Sequence, residues 1–195
     1  MKVMALNASA RRDGNTAMLL NVVLDELKAE GMETELIQLG GKTIKGCRAC
    51  YKCFERRDRH CAVGTDMLND LLDKMLAADG ILLGSPTYFS DVTANMRAVI
   101  ERAGFVARAN NYMLKRKVGA SVVAVRRAGA IPAFSSMNLF LHYMQMVMPG
   151  SSYWSLGMGR DIGDVLKDTE GIQTMKDLGQ NMAWLLKKVA PARKG

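Results

Sequence analysis

Long apolar runs are missing from this 195-residue sequence. None approaches the ~20 residues that a helix needs to cross a bilayer, which excludes a transmembrane helix and a membrane partner. The N-terminal stretch MKVMALNAS has one lysine and an apolar run too short for a secretory signal, so we expect a cytoplasmic protein with reduced thiols. Aromatic residues make up only 6%, and the sequence has no recognisable nucleic-acid motif, so no nucleic-acid partner is expected.

Cysteine is absent from the chain except in one segment, GCRACYKCFERRDRHC at residues 46–61. The net charge of +8 comes from 27 basic and 19 acidic residues that are scattered elsewhere but concentrated here. Between residues 42 and 61 there are seven lysines and arginines against two acidic residues. A basic surface attracts phosphorylated cofactors and other anions, and in this chain it surrounds the thiols.

Hydrophobic periodicity predicts an alternation of strands and helices. Strands are predicted at residues 3–6, 32–39, 80–86 and 117–125, with a fifth inside MVMPGSSYW at residues 146–154. Helices are predicted at residues 16–30, from 67 with Thr65 or Asp66 as the N-cap, from 92 to a stop at Gly104, and from 172 to 189, with a partly helical region at 131–146. Such alternation indicates an α/β fold: a doubly wound five-stranded parallel sheet in the flavodoxin-like order 2-1-3-4-5, with helices on both faces. We expect one domain over residues 1–190, with a cysteine-rich loop at 42–64 and a frayed tail at 191–195.

Ligands of such sheets bind beyond the carboxyl ends of the strands, where the strand order reverses. The loop after the first strand reads NASARRDGNT and contains hydroxyl groups, two arginines and the start of a helix. These features form an anion cradle. The loop lacks both the Gly-Lys-Ser/Thr ending of a P-loop and the GxGxxG spacing, so it favours a monophosphate. The alternative is an ordinary polar connection.

The loop after the third strand reads GSPTYFSDVTANM. Its backbone amides and adjacent aromatic side chains, Tyr88 and Phe89, suit a flat heteroaromatic ring with polar edges. The alternative is a turn with two surface aromatics.

The cysteines have the spacing C-x2-C-x2-C-x7-C. Cys47, Cys50, Cys53 and Cys61 are candidate ligands of a [4Fe–4S] cluster, because three thiolates close in sequence can surround one cluster while a fourth arrives from the loop beyond. A zinc site made of the same thiols and a set of empty thiols are the alternatives. His60 could replace Cys61 as the last ligand, but the favoured interpretation is a plain surface histidine.

The three stretches NASARRDGNT, GCRACYKC and GSPTYFSDVTANMRAVIER resemble the NADPH-dependent FMN reductase family, and in particular its iron–sulfur flavoproteins. The resemblance is strong over residues 1–105 and looser beyond. It implies that the phosphate of FMN is bound through Ser9, Arg11, Asn15 and Thr16. It also implies that the isoalloxazine ring is bordered by Pro86, Thr87, Tyr88, Phe89 and Ser90.

A third contact loop is expected after strand 4, where Arg126 and Arg127 either meet the flavin edge or form a solvated turn. The segment SSYW at 151–154 is a further candidate to close over a flavin. The resemblance implies a redox flavoprotein in which no side chain is a catalytic acid or base. Either NAD(P)H reduces the FMN, or a ferredoxin supplies electrons through the cluster. We expect a homodimer or homotetramer, because a partner chain would shorten the path between cluster and flavin.

Overall fold

The computed structural model describes residues 1–189; the predicted tail at 191–195 lies outside them. Five parallel strands form one sheet in the order β2-β1-β3-β4-β5, which confirms the flavodoxin-like order. The strands are β1 (Lys2–Asn7), β2 (Glu33–Gln38), β3 (Gly80–Pro86), β4 (Val118–Val125) and β5 (Leu156–Met158).

Helices cover both faces of the sheet, which explains why β3 and β4 are almost continuously apolar and buried. They are α1 (Asn15–Ala29), α2 (Lys52–Arg56), α3 (Leu68–Ala77), α4 (Ala94–Ala109), α5 (Ala130–Tyr143) and α6 (Thr169–Val189), with a 3-10 turn at Asp164–Lys167. One core lies between the sheet and α3, α4 and α5, and a second lies between the sheet and α1 and α6. Within the described part of the chain, no helix is both long and apolar enough to cross a membrane.

The fifth strand is not at residues 146–154, and that part of the prediction was wrong. Val147 makes a single parallel bridge to Val118 at the start of β4. The chain then leaves the sheet edge at Pro149, which has no N–H to donate to a ladder. It returns at β5, where Leu156 pairs with Val123 near the far end of β4.

Two helix boundaries and two further elements also differ from expectation. Helix α4 continues through Gly104 to Ala109, because Val106 and Ala107 are buried and their packing outweighs the low helix propensity of one glycine. The N-cap of α3 is Met67 rather than Thr65 or Asp66. The region predicted as partly helical is the regular helix α5, and the cysteine loop contains the short helix α2.

Asp66 still serves the start of α3, because its Oδ1 accepts from the N–H of Leu68 at 3.2 Å, and the other oxygen of its carboxylate has a buried partner. The guanidinium of Arg102, on α4, is fully buried and forms an ion pair with Asp66 at 2.5 Å. It also donates to the carbonyl oxygens of Lys45 and Val63 at 3.0 and 2.6 Å, and to Cys61 Sγ at 3.3 Å. Arg102 therefore holds both ends of the cysteine-rich loop against α4.

Burial alone raises the pKa of Asp66, but hydrogen bonds from Arg102 and from the backbone N–H groups of Lys45 and Leu68 outweigh it and lower the pKa. The carboxylate is thus held in its charged form inside the protein. Removing one partner of such a buried ion pair strongly lowers the stability of the protein, whereas replacing both with apolar residues changes it little.

We expect Arg102→Met to lower the free energy of unfolding by about 3–5 kcal/mol, because it leaves the Asp66 carboxylate buried without a cation. The double variant Arg102→Met/Asp66→Leu should lose clearly less than the sum of the two single variants. Urea unfolding of the four proteins measures both quantities.

The matched control is Arg97→Met, which breaks the half-exposed pair between Arg97 and Asp91. Its cost should stay below about 1 kcal/mol. An equally small cost for Arg102→Met would mean that the buried pair does not anchor the loop.

Candidate functional site

A cavity of about 180 Å³ opens at the carboxyl ends of β1, β3, β4 and β5. This edge includes the point between β1 and β3 where the strand order reverses. The cavity is lined by Ser9, Arg11, Asn15, Thr16, Pro86, Thr87, Tyr88, Ala124, Arg126, Gly159 and Arg160.

The loop after β1 is shaped by short side-chain hydrogen bonds to its own backbone. Asn7 Oδ1 accepts from the N–H of Ser9, and Ser9 Oγ accepts from the N–H of Arg11, both at 3.1 Å. Asn7 Nδ2 donates to the carbonyl oxygen of Arg12 at 3.1 Å. These bonds curl the chain so that Ser9 and Arg11 face the cavity.

Residues at the end of β2 and just after it support this loop. Gln38 accepts from Asn7 Nδ2 at 2.6 Å and donates to the carbonyl oxygen of Ser9 at 2.7 Å. A Cβ on Gly40 would lie 1.9 Å from that same oxygen, so only glycine fits there. Neither Gln38 nor Gly40 lies in a recognisable motif, so neither was predicted from the sequence.

Two hydroxyl groups in the cavity have no partner. Within residues 1–189, the buried side-chain N and O atoms without a hydrogen bond are Thr16 Oγ1 and Thr87 Oγ1. Both residues line this cavity, Thr16 from the first turn of α1 and Thr87 from the loop after β3. A buried unsatisfied hydroxyl costs ~1–3 kcal/mol, which is recovered when a polar ligand reaches it.

The start of α1 adds a further attraction for an anion. Gly14 is the N-cap and supplies no side-chain hydrogen bond, and the first turn contains no acidic residue. The N–H groups of the first turn therefore point toward the cavity without an intrahelical partner, and the helix dipole favours negative charge there.

Three arginines line the cavity: Arg11, Arg126 and Arg160. Arg160, with Gly159, was missed by the sequence analysis because the loop after the fifth strand was sought in the wrong place. Asn15 holds this loop, since its Nδ2 donates to the carbonyl oxygen of Asp161 and its Oδ1 accepts from the N–H of Gly163, both at 2.9 Å.

The loop after β3 is a tight hairpin closed by two backbone hydrogen bonds between Tyr88 and Asp91. Its two central residues, Phe89 and Ser90, both have positive φ, at 48° and 61°. Non-glycine residues adopt this conformation at a cost of ~1–3 kcal/mol each, and such strain is typical of ligand-binding sites.

The structure brings Pro86, Thr87 and Tyr88 into the cavity but not Phe89 and Ser90. The side chain of Phe89 is entirely exposed at the tip of the hairpin. Ser90 instead packs beside Gly129. The segment 151–154 precedes β5 and does not line the cavity either.

A second cavity is lined by all four cysteines together with Arg102 and Phe105. The cysteines are free thiols. The N–H groups of Ala49 and Val63 donate to the sulfurs of Cys47 and Cys61, both at 3.4 Å. Four residues of this segment have left-handed backbone conformations, so the chain turns repeatedly around the thiols: Ala49, Tyr51, Arg57 and Arg59.

The thiols are spread around the cavity rather than gathered at one point. Among residues 1–189, no three histidine, cysteine, aspartate or glutamate side chains are arranged to hold a single metal ion. His60 is engaged elsewhere, with its Nε2 2.8 Å from Asp73 Oδ1. Burial, together with the neighbouring thiols of Cys61 and Cys47, raises the pKa of Cys53.

Comparison with known proteins agrees with these features. The sequence model of a family described as NADPH-dependent FMN reductase matches residues 1–161. An iron–sulfur flavoprotein of Methanocaldococcus jannaschii is 33% identical over 97% of this chain and 99% of its own length. An iron–sulfur flavoprotein of Methanosarcina thermophila is 28% identical over 99% of both chains.

Solved structures share the fold at lower identity. RosB, crystallised with a bound formylated riboflavin phosphate, has a TM-score of 0.76 at 19% identity, covering 98% of this chain and 81% of its own. A flavodoxin from the domain Archaea has a TM-score of 0.62 at 16% identity, covering 96% and 99%. The chain belongs to the NADPH-dependent FMN reductase family and groups, within it, with the iron–sulfur flavoproteins.

Proposed function

We propose that the chain is an FMN-dependent oxidoreductase that binds FMN in the cavity at the carboxyl edge of the sheet and accepts electrons from NAD(P)H. The observation that carries this proposal is the pair of unsatisfied buried hydroxyls, Thr16 Oγ1 and Thr87 Oγ1, in one cavity. A ligand with polar atoms at both ends of the cavity would satisfy both. FMN has a phosphate at one end and a ring with polar edges at the other.

The proposal assigns the phosphate to the loop after β1. Thr16 and Ser9 would donate hydroxyl hydrogen bonds, and the start of α1 would donate its free N–H groups. Arg11 would supply positive charge. Asn15 would keep Arg160 beside the phosphate, because its side chain holds the loop after β5.

The ring is assigned to the loop after β3, through Pro86, Thr87 and Tyr88, with Arg126 at its edge. Phe89 and Ser90 remain proposed contacts at the rim, next to Tyr88 on the hairpin. The cavity is smaller than the ~300–1,000 Å³ usual for a whole ligand, so part of the ring would lie outside it.

When bound, FMN supplies the hydride and single-electron chemistry, and the protein supplies binding, orientation and charge. The polar side chains lining the cavity are aliphatic hydroxyls, an amide, one phenol and guanidinium groups. The lining contains no carboxylate, histidine, cysteine or lysine, so no lining side chain is assigned as a general acid or base. The arginines would hold anionic groups of the cofactor and of its electron donor.

We expect Thr16→Val to weaken FMN binding by ~10–100-fold, the loss of one hydrogen bond to a charged group. The same change should leave the stability of the apoprotein unchanged or slightly higher, because it removes an unsatisfied hydroxyl. Thr87→Val, which would lose a bond to a neutral group, should weaken binding by less than ~10-fold. Quenching of flavin fluorescence measures affinity, and urea unfolding measures stability.

The control is Thr174→Val, because Thr174 is equally buried but its hydroxyl lies 3.5 Å from Ser152 Oγ and far from the cavity. This variant should lose stability and keep its FMN affinity. If Thr16→Val behaved like this control, the Thr16 hydroxyl would serve the fold and not the cofactor.

The cysteine cavity supports a second candidate function, electron transfer from a ferredoxin to FMN through a [4Fe–4S] cluster. Cys47, Cys50, Cys53 and Cys61 would be its ligands, one for each iron. Such a cluster suits four thiols spread around a cavity better than a single zinc ion does. The reducing cytoplasm expected from the sequence would keep the thiols available, and the buried guanidinium of Arg102 would stabilise the negative charge of the cluster.

Protein prepared without oxygen should contain about four irons and four sulfides per chain. Cys53→Ser should lose this iron and keep its FMN affinity, because the cluster segment and the phosphate loop are separate parts of the chain. Metal and sulfide analysis, with flavin titration of the same samples, measures both. Wild-type protein without iron would contradict the cluster, and zinc in its place would support the rival assignment.

The two candidate functions differ in their electron donor. With NADPH alone and no oxygen, the visible absorbance of bound FMN should disappear within seconds if the first is correct. Reduced ferredoxin, added without NADPH, should then act slowly or not at all. Rapid reduction of FMN by ferredoxin but not by NADPH would support the second candidate in place of the first. In that case Cys53→Ser should lose the reduction by ferredoxin.

A further inference from the structure

The hairpin after β3, residues 87–91, has a backbone conformation that its own sequence does not favour. Positive φ at both central residues, Phe89 and Ser90, is the pattern of a type I′ turn. Asparagine followed by glycine is the preferred pair in such a turn, because both residues adopt positive φ at little cost. Phenylalanine and serine do not, so contacts outside the turn are needed to hold the backbone in this form.

The base of this hairpin is fixed to the sheet, and its tip rests on a neighbouring loop. The N–H of Thr87 donates to the carbonyl oxygen of Ala124, near the end of β4, at 3.0 Å. Ser90 lies against Gly129, where a Cβ would be 2.6 Å from Ser90 Oγ and 3.4 Å from Ser90 Cα. The loop that carries Gly129 also contributes Arg126 to the cavity at the sheet edge. The hairpin therefore contacts a second wall of the same cavity.

The hairpin is also tied to two helices through Asp91, its last residue. Asp91 Oδ1 accepts from the N–H of Val92 at 2.7 Å and from Ser136 Oγ at 3.0 Å, and Oδ2 accepts from Arg97 at 2.5 Å. Arg97 also donates to Ser136 Oγ at 3.2 Å. Since Arg97 is on α4 and Ser136 is on α5, one carboxylate joins the hairpin to both helices. We call these three side chains the Asp91 network.

The Asp91 network contributes little to the stability of the fold. Burial alone raises the pKa of Asp91, but hydrogen bonds from the N–H of Val92 and from Arg97 and Ser136 outweigh it and lower the pKa. The carboxylate is therefore charged. However, the side chains of Asp91 and Arg97 are 45% and 40% exposed, and ion pairs this exposed to water stabilise proteins only weakly. The network fixes a geometry more than it adds free energy of folding.

The geometry that it fixes is that of the cavity wall. Asp91 and Tyr88 are joined by two backbone hydrogen bonds of 2.9 and 3.0 Å, so the position of one determines the position of the other. Tyr88 lines the cavity together with Pro86 and Thr87, whereas none of the three residues of the Asp91 network does. The network therefore acts on the cavity only through the hairpin.

We propose that Asp91, with Arg97 and Ser136, is a positioning residue for the flavin ring. The network holds the hairpin in its left-handed conformation before the ring arrives, so that binding does not have to order it. A site that already has its binding conformation binds more tightly than one that adopts it only part of the time. This inference rests on the proposed function for the identity of the ligand, but not on the assignment of the phosphate.

We expect Asp91→Ala to weaken FMN binding by ~10-fold, because the hairpin would adopt its binding conformation only about a tenth of the time. The affinity for riboflavin, which has the same ring without the phosphate, should fall by the same factor. Asp91→Asn keeps an acceptor for Val92 and Ser136 and should lose less affinity. Quenching of flavin fluorescence measures these affinities. Urea unfolding of the apoprotein should show little change in either variant.

A second substitution, Ser90→Gly, separates positioning from a general loss of structure. Glycine adopts positive φ without strain, so a hairpin with glycine at this position needs less support from Asp91. In the Asp91→Ala background, Ser90→Gly should therefore recover most of the lost affinity for both flavins.

The matched control is Glu30→Ala, which breaks a similarly exposed ion pair with Lys187 between the end of α1 and α6. It should leave both flavin affinities unchanged. The inference is overturned if Asp91→Ala binds FMN as the wild type does, or if Ser90→Gly recovers nothing. It is also overturned if FMN binding weakens and riboflavin binding does not, since the hairpin would then not border the ring. Wild-type protein that binds neither flavin would overturn the proposed function together with this inference.

Discussion

A guanidinium buried away from water needs a full set of acceptors, and the cysteine segment supplies those of Arg102. The ion pair to Asp66 and the bonds to Lys45, Val63 and Cys61 close the segment against α4. Removing Asp66 would leave the guanidinium charge of Arg102 buried without a counter-charge. The shape of the cysteine cavity therefore depends on one side chain that is not itself a cysteine.

The same helix connects the two candidate sites. Helix α4 begins at Ala94, just after the strained hairpin beside the cavity at the sheet edge, and Arg102 follows eight residues later. At ~1.5 Å per residue, about 12 Å of rigid helix separates the start of α4 from the anchor of the cysteine segment. The order of strands brings the first cavity to α4, and the long connection between β2 and α3 brings the thiols to it.

The residues around the cavity at the sheet edge have local free-energy costs that folding alone does not require. Thr16 and Thr87 each leave a buried hydroxyl unsatisfied, and Phe89 and Ser90 each hold a left-handed backbone. These local costs lie together at the carboxyl ends of the strands, where contacts with a bound ligand would offset them.

The sequence alone determined the strand order and the position of the cysteine segment, and it pointed to the loops after β1 and β3, because hydrophobic periodicity and short motifs depend on neighbouring residues. It misplaced the fifth strand, because an edge strand of three residues has too few apolar positions to be recognised, and Arg160 was lost with it. Only the tertiary structure decided that Phe89 and Ser90 lie outside the cavity, that Gln38 and Gly40 support Ser9, and that Arg102 pairs with Asp66. Those contacts join residues that are distant in the chain, and their energies arise only after the sheet and its helices have packed.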